Sequence, residues 1–166
     1  IIAAIVMIAI IIIGSIVLNI LKSPEYRTHN NPISADENQD GKPGTLIDGV
    51  YVAQSPQAYN GYTGIVTMQV TNGNITSLLY DSANEDGELK SHLSDIGEYV
   101  MVEGNPTWKE QAQLLAEHVI ENQSIDALTM DDEGKTDAVS GVSINIGEFV
   151  NLTQNCLEQA SKGNGN

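Results

Sequence analysis

A chain of 166 residues with 22 acidic and 7 basic side chains carries a formal net charge of −15. That excess favours solubility and speaks against nucleic acid or an anionic membrane surface as a partner, because both would be repelled. A single cysteine, Cys156, excludes an internal disulfide.

The chain opens on an apolar run. Ile1 to Leu21 contains no charged side chain, and at helical rise such a run spans roughly 30 Å, the thickness of a bilayer's hydrocarbon core. It predicts a transmembrane helix over residues 1–22. A secretory signal would have a shorter apolar run, a basic start and a small-residue cleavage site. The sequence begins without Met, as expected where residues precede Ile1 or a leader has been removed. Lys22 and Arg27 follow the run and taken alone argue for a cytoplasmic domain, but two charges decide little about orientation.

Residues 23–45 are rich in Asn, Asp, Pro and Gly without periodicity, which predicts a solvated acidic linker. Within it Asp36, Asn38, Asp40 and Gly41 match the first half of an EF-hand-type loop, in which alternating oxygens wrap calcium. The second half fails, since the bidentate acid's place is taken by Ile47, with Asp48 one position late. Asp36, Asn38 and Asp40 are therefore candidate calcium ligands set against a simpler reading as flexible linker.

Residues 46–162 have the length of one domain, with 163–166 as a flexible tail. Val50 and Val52 start a strand. Val66, Met68 and Val70 alternate with Thr67, Gln69 and Thr71, and Asn72-Gly73 then turns the chain into Ile75 to Tyr80, a strong hairpin signal. Asp81 to Asn105 is polar and predicts a loop, with a short helix or strand around Tyr99 to Val102. Pro106 opens a helix in which Thr107 and Glu110 form a capping box and Trp108, Ala112, Leu115, Val119 and Ile120 make the apolar face. A last helix is expected from Asn145 to about Lys162, where Ile146, Phe149, Val150, Thr153, Leu157 and Ala160 recur at helical spacing. Cys156 falls on its apolar side and predicts a buried core residue. Strands followed by segregated helices point to an α+β fold, an antiparallel sheet with flanking helices.

No catalytic constellation is present. His29 falls in the linker, His92 in a polar loop and His118 on the expected solvent side of the Trp108 helix, and no paired cysteines or spaced carboxylates make any of them a metal ligand. A Gly-rich phosphate loop is also lacking. The runs Asp131-Asp132-Glu133 and Glu85-Asp86 read as turn residues on a charged surface.

One segment stands apart: Asp137-Ala138-Val139-Ser140-Gly141-Val142-Ser143, just ahead of the last helix. On spacing alone it is a glycine-containing turn with Asp137, Ser140 and Ser143 as turn and capping residues. Placed before a helix N-terminus, Ser143 would also suit an anion, which unpaired N–H groups and the helix dipole favour. The segment resembles the motif of the FMN-binding domain family, found in flavin subunits of sodium-pumping and Rnf-type oxidoreductases and in small surface flavoproteins. Asp137, Ser140, Gly141 and Ser143 match. Val142 and Ser143 depart from the family's usual Ala and Thr. The opening Asp48-Gly49-Val50-Tyr51 and the stretch Asp86-Gly87-Glu88-Leu89-Lys90-Ser91 also look like family features.

The resemblance implies FMN held as a phosphoester on Ser143, with Asp137 serving the flavin transferase through a metal. It implies a membrane-anchored electron carrier on the extracytoplasmic side, working between a membrane oxidoreductase and an external acceptor. An isoalloxazine ring needs a partly apolar slot. Tyr51, Tyr59, Tyr62, Tyr80, Tyr99 and Trp108 are the aromatic candidates to flank it, Tyr62 and Tyr80 foremost, although most of these must serve as core. Two other readings stay open. One is a pilin-like structural subunit whose apolar helix packs with its copies, as Ala3, Ala4, Ala9, Gly14 and Ser15 would permit. The other is a family member that kept the fold and lost the cofactor.

Overall fold

The computed structural model describes residues 46–102 and 104–162. The predicted transmembrane helix, the linker with His29, Asp36, Asn38 and Asp40, and the tail lie outside the described residues. Among the described residues no helix is long and apolar enough to cross a membrane, and no group of three or more His, Cys, Asp or Glu side chains could hold a metal ion.

The domain is α+β. Three antiparallel strands, β1 (Gly49–Gln54), β2 (Thr63–Thr71) and β3 (Asn74–Ala83), form a sheet in that order. Val52 pairs with Thr67, Met68 pairs with Leu78, and the register shifts once at Gln69/Val70. At the hairpin, Asn72 and Gly73 take φ values of 53° and 73°, the left-handed pair that a two-residue hairpin turn requires and that Asn-Gly supplies at low cost. Asp48 completes the turn from outside. Its carboxylate accepts both turn amides, from Asn72 and Gly73, at 2.8 Å each, so the acid that opens the domain locks β1 to the β2–β3 hairpin.

Three helices follow: α1 (Lys90–Asp95), α2 (Trp108–Asn122) and α3 (Gly147–Lys162). In α2 the predicted capping box is formed, with the Thr107 hydroxyl accepting from the Glu110 amide and the Glu110 carboxylate accepting from the Thr107 amide. The helix ends on left-handed Gln123. That side chain then accepts from the Ile75 amide at 2.7 Å and donates to the Ile75 carbonyl at 2.9 Å, fastening α2 to the start of β3. The core lies between the helices and one sheet face, with Tyr51, Val66, Met68 and Val70 meeting Leu115, Val119, Phe149 and Cys156. Burial of the Cys156 thiol pushes its pKa up to about 12, as expected of an inert core residue.

Two expectations need correction. The short element in the polar segment is α1 at Lys90–Asp95, whereas Tyr99 to Val102 is neither helix nor strand. The cause is tertiary. Asp81 near the end of β3 accepts from the Ser91 amide at 3.2 Å and from the Ser91 hydroxyl, so a strand carboxylate satisfies an amide of the first turn. His118 is not on the solvent side; it is half-buried, with Nε2 shielded and unpaired.

Candidate functional site

The segment from Asp131 to Ile146 crosses the surface without regular structure, and its backbone is fixed at several points. The Asp131 carboxylate accepts from the amides of Glu133 and Lys135 at 2.9 and 2.8 Å. The Gly134 carbonyl accepts from Ile146 at 2.8 Å, and the Asn145 side-chain amide donates to the Glu133 carbonyl at 2.9 Å. Val139 and Ile144 are buried and act as apolar pegs on either side of the exposed Ser140, Gly141 and Ser143.

Gln111 is the main clamp. It is 1% exposed on α2, and its Oε1 accepts from the Ser143 amide at 2.7 Å, the Ile144 amide at 3.1 Å and the Ser143 hydroxyl at 3.3 Å. Its Nε2 donates to the Pro106 carbonyl at 2.8 Å. One buried side chain therefore satisfies both backbone amides at the Ser143 position and ties them to the start of α2. The Lys135 ammonium donates to the Ser143 carbonyl, which places a cation beside the same residue.

Gly141 has φ +86°, and a Cβ there would make only ordinary contact with Leu114 and Pro106. Its requirement for glycine is conformational and not steric. Leu114 and Pro106 also line an open cleft of about 550 Å³, with Glu110, Gln113 and Glu117 among its walls. Asp137 is exposed.

The helix beyond Ser143 starts later than expected. Its first residue is Gly147 instead of Asn145, and the Asn145 side chain already accepts from the Gly147 amide at 2.9 Å. Ser143 thus stands four residues ahead of the helix, and its own amide is taken by Gln111. Ser143 is therefore not at the open end of a helix, and the Lys135 ammonium is on its carbonyl.

A second polar centre lies where α3 meets the sheet. The Glu148 carboxylate accepts from Tyr80 Oη at 2.9 Å, the Gly64 amide at 3.2 Å and the Ser55 hydroxyl. Burial is the main cause of a raised Tyr80 pKa, and the Glu148 charge adds to it. Tyr80 also packs on Trp108 and Phe149, with centroids 5.4 and 5.3 Å away. Near it the Lys90 ammonium lies over the rings of Tyr62, Tyr99 and Trp108, at 4.1, 5.0 and 5.2 Å. Tyr62 and Tyr99 meet edge to face at 5.9 Å.

No family model and no curated protein matches the chain. Among solved structures, the solution NMR structure of a Clostridium thermocellum protein is 35% identical, with a TM-score of 0.52, over 68% of this chain and 91% of that one. The chain belongs to the same family as that protein. A crystal structure of a Clostridium perfringens protein, 22% identical with a TM-score of 0.50 over 73% of this chain and 93% of that one, shares the fold.

Of the residues singled out in sequence, Ser140, Gly141 and Ser143 are exposed on one loop, which also carries the exposed Asp137. Gln111, Lys135, Lys90 and Glu148 were not foreseen as partners. Two left a usable signal. Gln111 lies four residues before Leu115, and Glu148 four before Leu152, so each is a polar side chain on the apolar stripe of its helix.

Proposed function

We propose that this protein is a membrane-anchored flavoprotein electron carrier, with FMN esterified to Ser143, working between a membrane oxidoreductase and an extracytoplasmic acceptor. The observation that carries the reading is the presentation of Ser143: an exposed residue on a backbone held by Gln111, next to left-handed Gly141 and with its carbonyl on the Lys135 ammonium.

Those residues fit a phosphoester. A serine on an exposed loop can be reached by a transferase once its hydroxyl turns from the long 3.3 Å bond to Gln111, a bare glycine lets a bulky group lie against the chain, and a lysine offsets phosphate charge. Asp137 repels phosphate and is better assigned to the transferase step, where a carboxylate can hold the transferase's metal. When bound, the flavin supplies reversible uptake of electrons and protons. The chain's part is to hold the phosphate at Ser143 and Lys135, and covalent attachment keeps an exposed domain from losing its cofactor.

Intact mass of the natively produced protein, beside its Ser143→Ala variant, tests the reading. An addition equal to FMN less one water, with in-gel flavin fluorescence, is expected in the wild type and not in the variant. An unmodified mass from a host that flavinylates other proteins would leave a structural subunit or a cofactor-free relative as the better account.

A further inference from the structure

We infer that the cleft beside Gly141 is the docking site for a basic helical segment of a partner protein, which sets an apolar side chain on Leu114 and Pro106 and a cation against each of Glu110 and Glu117. The inference goes beyond the proposed function and does not rest on the attachment of FMN at Ser143.

The cleft is built along α2. Glu110, Gln113, Leu114 and Glu117 stand at positions i, i+3, i+4 and i+7 of that helix, a spacing that puts them in one stripe. Gln111, Leu115 and Val119 belong to its buried face instead. Leu114 and Pro106 give the cleft of about 550 Å³ its apolar lining, and the exposed Glu110, Gln113 and Glu117 give it polar walls. Apolar surface continues beside it. Val102 is 66% exposed, and its carbonyl accepts from the amide of Asn105, a residue of the cleft, at 3.1 Å. Val100 is 72% exposed. Met101 between them packs on the core, with Sδ accepting from Gln111 Nε2 at 3.4 Å, so both valines are presented on an anchored backbone. Apolar surface left exposed in this way marks a contact site.

Charge decides the occupant. Among the described residues the one ion pair is Lys109 with Asp95, so neither Glu110 nor Glu117 has a cation within ion-pair distance. The bonds that Glu110 accepts from Thr107 both fall on Oε2. Glu121 extends the acidic stripe into the last turn, where no basic residue offsets it. Like charges four residues apart repel and an acid there opposes the helix dipole, so the stripe does not serve the helix itself. Carboxylates also repel an anionic lipid surface. A second copy of the chain matches poorly. Of the described lysines, Lys90 lies over three rings, Lys109 is paired and Lys135 is on the Ser143 carbonyl. A protein that offers basic side chains is the complementary occupant. At helical rise Glu110 and Glu117 are about 10 Å apart along the axis. Two basic residues seven positions apart on a second helix match that separation, with an apolar residue between them for Leu114.

The test titrates the full chain carrying Ser143→Ala, held in zwitterionic nanodiscs, into a fluorescent alanine-based helical peptide with arginines seven residues apart and leucines between them. Peptide anisotropy is read against empty discs. Because Ser143→Ala cannot carry the flavin, the result stands or falls separately from the attachment. Expected is saturable binding that weakens at least several-fold in Glu117→Lys and in Leu114→Ala, whereas Glu158→Lys, the same charge change on α3, leaves it nearly unchanged. Glu117→Lys should keep or exceed the wild-type Tm, because it removes a repulsion from α2, so its lost binding is not lost folding. No saturable binding, equal weakening by Glu158→Lys, or equal binding of a peptide of the same composition with its arginines out of register would overturn the inference. A peptide-free chain that sedimentation finds self-associated, and that Leu114→Ala disperses, would make a second copy the occupant and overturn it as well.

Discussion

The Oε1 of Gln111 lies 2.7 Å from the Ser143 amide and 3.1 Å from that of Ile144, so a single buried acceptor sets the backbone at the candidate attachment point. Replacing Gln111 with Leu keeps its bulk and removes the acceptor. Each shielded amide left unpaired costs about 1–3 kcal/mol. Gln111→Leu is expected to lose stability in that range or somewhat more in chemical denaturation, and to accept FMN at Ser143 less completely. A variant with an unchanged unfolding midpoint would show that water replaces the clamp.

Gly64 and Glu148 form a second such pair. A Cβ on residue 64 would overlap the Glu148 carboxylate, so Gly64→Ala displaces a group that also serves Ser55 and Tyr80. Overpacking of this kind costs about 1–3 kcal/mol. Adding Glu148→Ala should recover part of that loss, because the two sites are coupled. Additive effects in the double-mutant cycle would contradict the contact.

Glu110 gives a pH signature. Hydrogen bonds from the Thr107 amide and hydroxyl hold its carboxyl below the ordinary 4.5. A depressed folded value means that the capping contribution is complete above the unfolded pKa and is lost as pH falls through the folded one. The difference in stability between wild type and Glu110→Gln should therefore shrink as pH drops below about 4.5. A difference that stays constant down the acid limb would remove the capping box from the account.

Gly141→Ala isolates backbone conformation, because a Cβ there meets nothing closer than 3.4 Å. An alanine held at φ +86° costs about 1–2 kcal/mol. Calorimetry should show a lower Tm for Gly141→Ala, with Gly141→Asn affected less because Asn tolerates the left-handed region.

What could be read in the sequence was local. Asn72-Gly73, the Thr107 and Glu110 box, and the apolar stripe ending near Lys162 each carry their signal within a few residues, and the fold places all of them as expected. What was missed depended mostly on partners outside the local window. Nothing near Lys90 announces a helix whose first-turn amide is held by Asp81, and nothing near Ser143 shows that Gln111 reaches it across 32 positions. The candidate site was legible as a string of residues, whereas its main clamp, Gln111, comes from α2 and reaches it only once the chain has folded. The packing of Lys90 over Tyr62, Tyr99 and Trp108 is the extreme case, assembled from four residues that no short window of sequence contains.

The Ile47 amide donates to the Ala160 carbonyl at 3.0 Å, so the residue just ahead of β1 is fastened to the last turn of α3. The domain therefore enters and leaves at one corner. Joining those ends and reopening the chain at an exposed turn should still give a folded protein. Placed at a tether, the same geometry means that a pull on Ile47 loads a bond to the final helix before it can peel β1 from the sheet.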